Sequence, residues 1–150
     1  MNKLDTLNNL VKICVDSAER YRRAAADVGN EELPQFFQRQ EAVRRRHADE
    51  LNAERQQVGG EAEKPGKESG SVGGLVDRAA MDLNVVMSMG DTGVVDWCRQ
   101  DAVDVIAEYE KALPDFTGST RNLLERQLAE NRATLEALEK VLRSYGGPRS

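Results

Sequence analysis

Glycine and proline divide this sequence into long stretches that contain few of either. Half of the twelve glycines lie within residues 59–74, which read GGEAEKPGKESGSVGG. Because glycine and proline interrupt helices, the stretches between them are helix candidates. The sequence therefore predicts four long helices, at about residues 4–28, 31–58, 91–113 and 119–145.

The candidate helices carry apolar residues at spacings of three and four, which place one stripe on one helix face. No segment shows the period-two alternation of a strand, so the sequence predicts an all-α fold. In the first helix the stripe is Leu4, Leu7, Val11, Cys14, Ala18, Tyr21, Ala25 and Val28. The weaker stripe of the second helix is Leu33, Phe37, Gln40, Arg44 or Val43, His47, Leu51 and Val58.

The connections between the helices predict how they are wired. The short connections near Gly29 and Gly118 favour antiparallel neighbours. Residues 59–74 can instead reach roughly 50 Å when extended, which exceeds the length of a flanking helix. Two hairpins joined by one long crossover are typical of a ferritin-like four-helix bundle. We therefore expect one domain over residues 1–150, with a flexible crossover at 59–74 and a tail at 146–150.

Several residues are predicted to begin or end these helices. Gly29 is expected to end the first helix in the left-handed conformation, and Asn30 and Asp91 to cap the helices that follow them. A short amphipathic helix at Leu75–Met89 is expected within the crossover. We expect a break at Gly90–Gly93, because a continuous rod would project beyond its partners.

Composition excludes several classes of protein. Twenty-one basic and 26 acidic residues give a net charge of −5, which disfavours non-specific nucleic-acid binding. No signal peptide and no run of 18 apolar residues occurs, so we expect no membrane span and a cytoplasmic location. Cys14 and Cys98 are expected to be reduced, buried thiols, although the sequence leaves a disulfide between them open.

Five short strings resemble one bacterial family. They are residues 7–10 (LNNL), 21–28 (YRRAAADV), 70–75 (GSVGGL), 109–113 (YEKAL) and 125–127 (ERQ). Their order and spacing resemble the ferritin-like family known as domain of unknown function 2383, over nearly the whole chain. The resemblance implies a ferritin-like bundle with no established activity. Relatives tend to carry glutamates where this chain has Arg99 and Ala102, and often a histidine where it has Thr134-Leu135.

The histidine content argues against the di-metal centre of ferritin-like proteins. Such a centre needs a Glu-x-x-His motif on each of two helices, and this chain has one histidine, His47, with Arg44 three residues before it. Glu19, His47 and Glu50 are weak candidate ligands for a single metal ion. The favoured alternative is a polar patch in which Gln40, His47 and Asn131 hydrogen-bond across helices. The sequence predicts no metal, no cofactor and no catalytic residue.

Two sets of charged residues are interpreted as solvated surface. The first consists of arginines, which include Arg20 and Arg44-Arg45-Arg46 and have acidic neighbours available for pairing. The second is an acidic stripe of Asp101, Asp104 and Glu108. A phosphate site and a divalent-cation site, respectively, are the disfavoured alternatives.

Trp97 and Val103 fall on the outer side of the third helix and form a candidate interface. The alternative is that Leu75–Met89 folds over Trp97. We expect a non-enzymatic bundle that associates with itself or with a protein partner. The alternative is a metal-binding, redox or iron-storage protein that uses its carboxylates.

Overall fold

The structure is a computed structural model that describes residues 2–59 and 90–146. The described residues form four α-helices and one short 3-10 helix, and no strand occurs among them. The helices are α1 (Lys3–Asp27), α2 (Leu33–Gly59), α3 (Gly90–Ala112) and α4 (Gly118–Gly146), with the 3-10 helix at Leu113–Asp115. The prediction of an all-α fold is confirmed. The predicted helix at Leu75–Met89 lies outside the described residues.

Helix α1 packs antiparallel to its chain neighbour α2. Near the start of α1, Asn8 Oδ1 accepts a hydrogen bond from Arg55 Nη1, close to the end of α2. Near the end of α1, the Tyr21 ring lies 6.0 Å from the ring of Phe37, early in α2. The two helices therefore form the first predicted hairpin.

The second hairpin, α3 and α4, lies against the first with two antiparallel contacts. Helix α1 contacts α3 at two levels: Cys14 lies beside Tyr109, and Arg20 lies over the ring of Trp97. Helix α2 meets α4 along a line that runs from Glu54 and Thr120 to Gln40 and Thr134. Every neighbouring pair of helices is thus antiparallel, whereas α2 and α3 run in the same direction.

The parallel course of α2 and α3 requires a return along the bundle. With 27 residues, α2 is about 40 Å long, and α3 begins at the opposite end of the bundle from the end of α2. The helix directions therefore agree with the predicted wiring of two hairpins joined by one long crossover. Gly90, at the start of α3, has φ +78°, so an uninterrupted α-helix does not pass through it.

The predicted helix ends are correct in part. Asn30 Oδ1 accepts hydrogen bonds from the amides of Glu32 and Leu33, as expected of the residue that caps α2. The prediction for Gly29 is wrong, because the described glycines with positive φ are Gly90 and Gly118.

Asp91 also differs from its prediction as a cap. Its carboxylate accepts hydrogen bonds from the backbone amides of Gly29, at 2.8 Å, and Asn30, at 3.0 Å. This acidic side chain therefore connects the start of α3 to the loop between α1 and α2, rather than capping its own helix.

Apolar side chains fill the two halves of the bundle, and polar side chains lie between and beside them. One half is packed around Leu7, Leu51, Phe116 and Leu124. The other half is packed around Phe37, Val95 and Leu138. Among the described residues, no helix combines the length and the apolar character needed to cross a membrane.

Candidate functional site

A chain of hydrogen bonds between side chains crosses the bundle and includes one residue from each helix. Cys14 Sγ of α1 lies 3.3 Å from the hydroxyl oxygen of Tyr109 in α3. The Tyr109 hydroxyl donates to Gln127 Oε1 of α4 at 2.6 Å. Gln127 Nε2 then donates to Glu50 Oε1 of α2 at 2.9 Å. Because the Tyr109 proton is directed to Gln127, the Cys14 thiol is the donor to Tyr109.

His47 and Glu130 form a second polar contact between α2 and α4. The His47 side chain is fully buried, and its Nε2 lies 2.5 Å from Glu130 Oε1. Burial lowers the pKa of His47, and the hydrogen bond that His47 donates to Glu130 opposes that shift. The imidazole is therefore neutral at pH 7 and donates its Nε2–H to the carboxylate. Arg46 Nη2 also donates to Glu130 Oε1, at 2.7 Å.

Asp101 occupies the interface between α1 and α3, where it is 8% exposed. Its Oδ1 lies 3.2 Å from Arg20 Nε, and its Oδ2 accepts a hydrogen bond from the Ser17 hydroxyl at 2.7 Å. Burial raises the pKa of Asp101, while the Arg20 charge and the Ser17 hydrogen bond oppose the shift. The interpretation of Asp101 and Arg20 as solvated residues is therefore wrong, because both side chains are buried and their opposite charges are paired.

Arg44 is the most buried charged side chain of α2, with 1% of it exposed. Its Nη1 donates to Gln40 Oε1 at 3.2 Å, and its guanidinium carbon lies 5.3 Å from the centre of the Tyr21 ring. The solvated interpretation is wrong for Arg44, which points into the bundle. It holds for Arg45 and Arg46, which are exposed.

The three candidate metal ligands do not come together. Glu19 is paired with Arg22 and Arg23 on the surface of its own helix, and the Arg22 hydrogen bond lowers the Glu19 pKa. His47 contacts Glu130 instead, and Glu50 accepts from Gln127. Within residues 2–59 and 90–146, no group of three potential metal-binding side chains occurs.

The predicted polar patch is present with partly different partners. Gln40 Oε1 accepts a hydrogen bond from the Thr134 hydroxyl of α4 at 2.7 Å, and His47 bonds to Glu130. Asn131 is fully buried, but its Nδ2 donates to the carbonyl of Gln127 in its own helix. The sequence did not point to Glu130 or Gln127 as members of the patch. Glu130 is adjacent to Asn131, and Gln127 lies one helical turn before it.

Trp97 is buried, contrary to the predicted exposure. It is 5% exposed, and the guanidinium of Arg20 lies 4.9 Å above its ring. The stripe through Val95 and Cys98 placed Trp97 outside, but this face of α3 packs on α1. Val103 lies on the surface as predicted, with 43% exposure. The alternative in which Leu75–Met89 covers Trp97 concerns residues outside the described part.

Both cysteines are buried and free, as predicted for thiols, so the disulfide alternative is wrong. Burial raises the pKa of Cys14 to about 11. Burial also raises the pKa of Cys98 well above its ordinary value. Both groups are therefore protonated thiols at neutral pH.

The fold is a bundle of four helices whose interior contains polar and charged side chains, among them Arg20, Arg44 and Asp101. The family described as "Domain of unknown function (DUF2383)" matches residues 2–115, and the chain belongs to this family. The match includes α1, α2, α3 and the 3-10 helix and ends before α4. No curated protein and no solved structure matches the chain.

Three positions at which this chain differs from the residue pattern of its family lie in or beside the interior. Arg99 is partly buried and pairs with Asp96 at 2.8 Å. Ala102 is 1% exposed, and Thr134 donates its hydroxyl to Gln40. None of these three side chains supplies the carboxylate or imidazole that a metal centre requires.

Proposed function

We propose that this protein is a non-enzymatic, ferritin-like bundle of the bacterial cytoplasm that acts by association with other protein chains, first of all a second copy of itself. The observation that carries the non-enzymatic part is the position of Arg44. It stands three residues before His47, where a ferritin-like di-metal centre uses a glutamate, and its side chain is buried.

The charges of the interior support this proposal. A guanidinium repels a divalent cation, and it has no lone pair to donate to a metal. The buried carboxylate of Asp101 is already bound by Arg20 and Ser17. Glu130, the partner of His47, also receives a hydrogen bond from Arg46. A metal ion would therefore have to displace a positively charged side chain from each of these carboxylates.

Metal loading is the direct test of this part of the proposal. The purified protein is incubated with Fe(II), Mn(II) or Zn(II), desalted and analysed for bound metal, and ferroxidase activity is measured in parallel. We expect substoichiometric metal and no ferroxidase activity. Stoichiometric metal that is lost in His47→Ala but retained in the surface variant Arg45→Gln would overturn the proposal in favour of a metal-storage or redox protein.

The association part starts from Val103. This side chain is 43% exposed on α3, and contacts between protein chains are formed preferentially by exposed apolar groups. Val15, on α1, is similarly exposed at 44% but is not part of the predicted interface, so it provides a matched control on another helix.

Light scattering at increasing protein concentration tests this part separately. We expect a mass above that of one chain, a lower mass for Val103→Glu, and no change for Val15→Glu. A mass of one chain at every concentration would reject self-association and leave the conclusion about metals unaffected.

A further inference from the structure

Arg44 carries an unused hydrogen-bonding edge in the interior of the bundle. Its Nη1 donates to Gln40, and one face of the guanidinium lies against the Tyr21 ring. Its Nε and Nη2 are both buried and have no hydrogen-bond partner. The side chain is 1% exposed, so bulk water does not hydrate it.

The two unpartnered nitrogens lie on the same edge of the planar guanidinium. Their N–H bonds are parallel, which is the arrangement that binds the two oxygens of a carboxylate. Contact with Tyr21 and the hydrogen bond to Gln40 hold the plane in place, so the edge is already oriented for an acceptor. Preorganised donors of this kind bind without the cost of ordering a free side chain.

The protein supplies no anion to this edge. Among the described residues, no carboxylate forms an ion pair with Arg44. The buried carboxylate of Asp101 attracts the Arg44 charge, but its oxygens are directed toward Arg20 and Ser17, and Cys14 is a neutral thiol. The guanidinium therefore has no directly bonded counter-charge, and a charge in a protein interior is costly unless it is paired and hydrogen-bonded.

We propose that the Nε–Nη2 edge of Arg44 binds a small monovalent anion, such as chloride or formate, in the interior of the bundle. The anion accepts both N–H bonds and compensates the guanidinium charge, which a water molecule does not do. The site is separate from the surface that the association proposal uses. The role of the site is structural: the anion binds only the folded chain and therefore raises its free energy of unfolding.

Thermal unfolding at constant ionic strength tests the proposal. The wild-type protein is dialysed into sodium gluconate, whose anion is much larger than the others, and then titrated with chloride, formate, nitrate or bromide. We expect a saturable rise in Tm of about 5 °C with at least one of these ions, since ligands bound only by the folded state stabilise it. Equal Tm values in all anions would overturn the proposal.

Two variants assign the effect to Arg44. Arg44→Met removes the donors and keeps an unbranched side chain, so it should unfold at a Tm that is independent of the anion. Arg45→Met, its exposed neighbour, should keep the full response. If Arg44→Met retained the response, the site would lie elsewhere.

A crystal of the wild-type protein grown or soaked in bromide gives a test that does not depend on any variant. We expect an anomalous peak within hydrogen-bond distance of both nitrogens. A water molecule at that edge with no bromide peak would contradict the assignment.

Discussion

The thiol of Cys14 and the hydroxyl of Tyr109, 3.3 Å apart, begin a line of hydrogen bonds that continues through Gln127 to Glu50. Residues 14 and 109 belong to different hairpins, and so do residues 127 and 50. The line therefore links both hairpins twice inside the bundle. Because each buried donor in it has an acceptor, removal of one member leaves others unsatisfied.

Replacing Tyr109 by phenylalanine should destabilise the protein by about 1–3 kcal/mol, the cost of leaving buried polar groups unpaired. The thiol of Cys14 would lose its acceptor, and Gln127 Oε1 its donor. Urea unfolding of the variant measures the difference. Tyr21→Phe is the matched control, because the buried Tyr21 hydroxyl has no partner. Equal losses in the two variants would show that the hydrogen bonds to Tyr109 contribute nothing specific.

Removal of Asp101 should cost about 3–5 kcal/mol, because Arg20 would remain buried without its counter-charge. The double variant Arg20→Met/Asp101→Leu should lose less than the two single variants combined. A double-mutant cycle by urea unfolding measures this coupling. Strictly additive losses would indicate that the 3.2 Å contact does not act as an ion pair.

His47 should titrate below 6.5, since burial disfavours its charged form. The unfolded chain therefore takes up a proton before the folded chain does. This residue's contribution to stability is complete above pH 6.5 and declines as the pH falls toward the folded-state pKa. Because the chain contains one histidine, imidazole NMR signals report this residue alone.

The variant Glu130→Gln should lower the His47 pKa further, because the carboxylate stabilises the imidazolium. A midpoint at or above 6.5 in the wild-type protein would contradict the expected effect of burial. An upward shift in Glu130→Gln would show that Glu130 is not the partner of His47 in solution.

Asp16 should make the protein less stable as the pH rises from about 4 to about 6. Burial raises its pKa from 3.8 to about 6, with Arg20 opposing the shift and Asp101 adding to it. The folded state therefore holds a proton that the unfolded state has released, and that advantage disappears above pH 6. Asp16→Asn should be more stable than the wild type at pH 8 and similar to it at pH 4. The comparison is made by urea unfolding, and a difference that is the same at both pH values would reject this expectation.

The helices and their directions were predictable because they depend on local signals. The placement of glycine and proline, and the repeated spacing of Leu7, Cys14 and Tyr21, predicted α1 correctly. The stripe omitted Leu10 and Ser17, which are both buried. A helix that contacts two neighbours buries a wider face than a single stripe describes.

The polar interior was less predictable because its burial depends on partners from distant parts of the chain. Arg20 and Asp101 are separated by 81 residues, and each becomes compatible with burial only in the presence of the other. Trp97 is buried by that same arginine. The stripe of the second helix left either Arg44 or Val43 facing the core, and the acidic neighbours of Arg44 favoured a surface position for it. The packing of α2 against α1 and α4 decides between these alternatives, and Arg44 is the buried residue.

The directions of the helices also determine where labels can report on this molecule. Helix α1 begins at the end of the bundle where α4 begins, so residues 3 and 146 lie at opposite ends. The 29 residues of α4 correspond to about 43 Å. Fluorophores attached at these two positions would therefore be far enough apart to measure opening of the bundle.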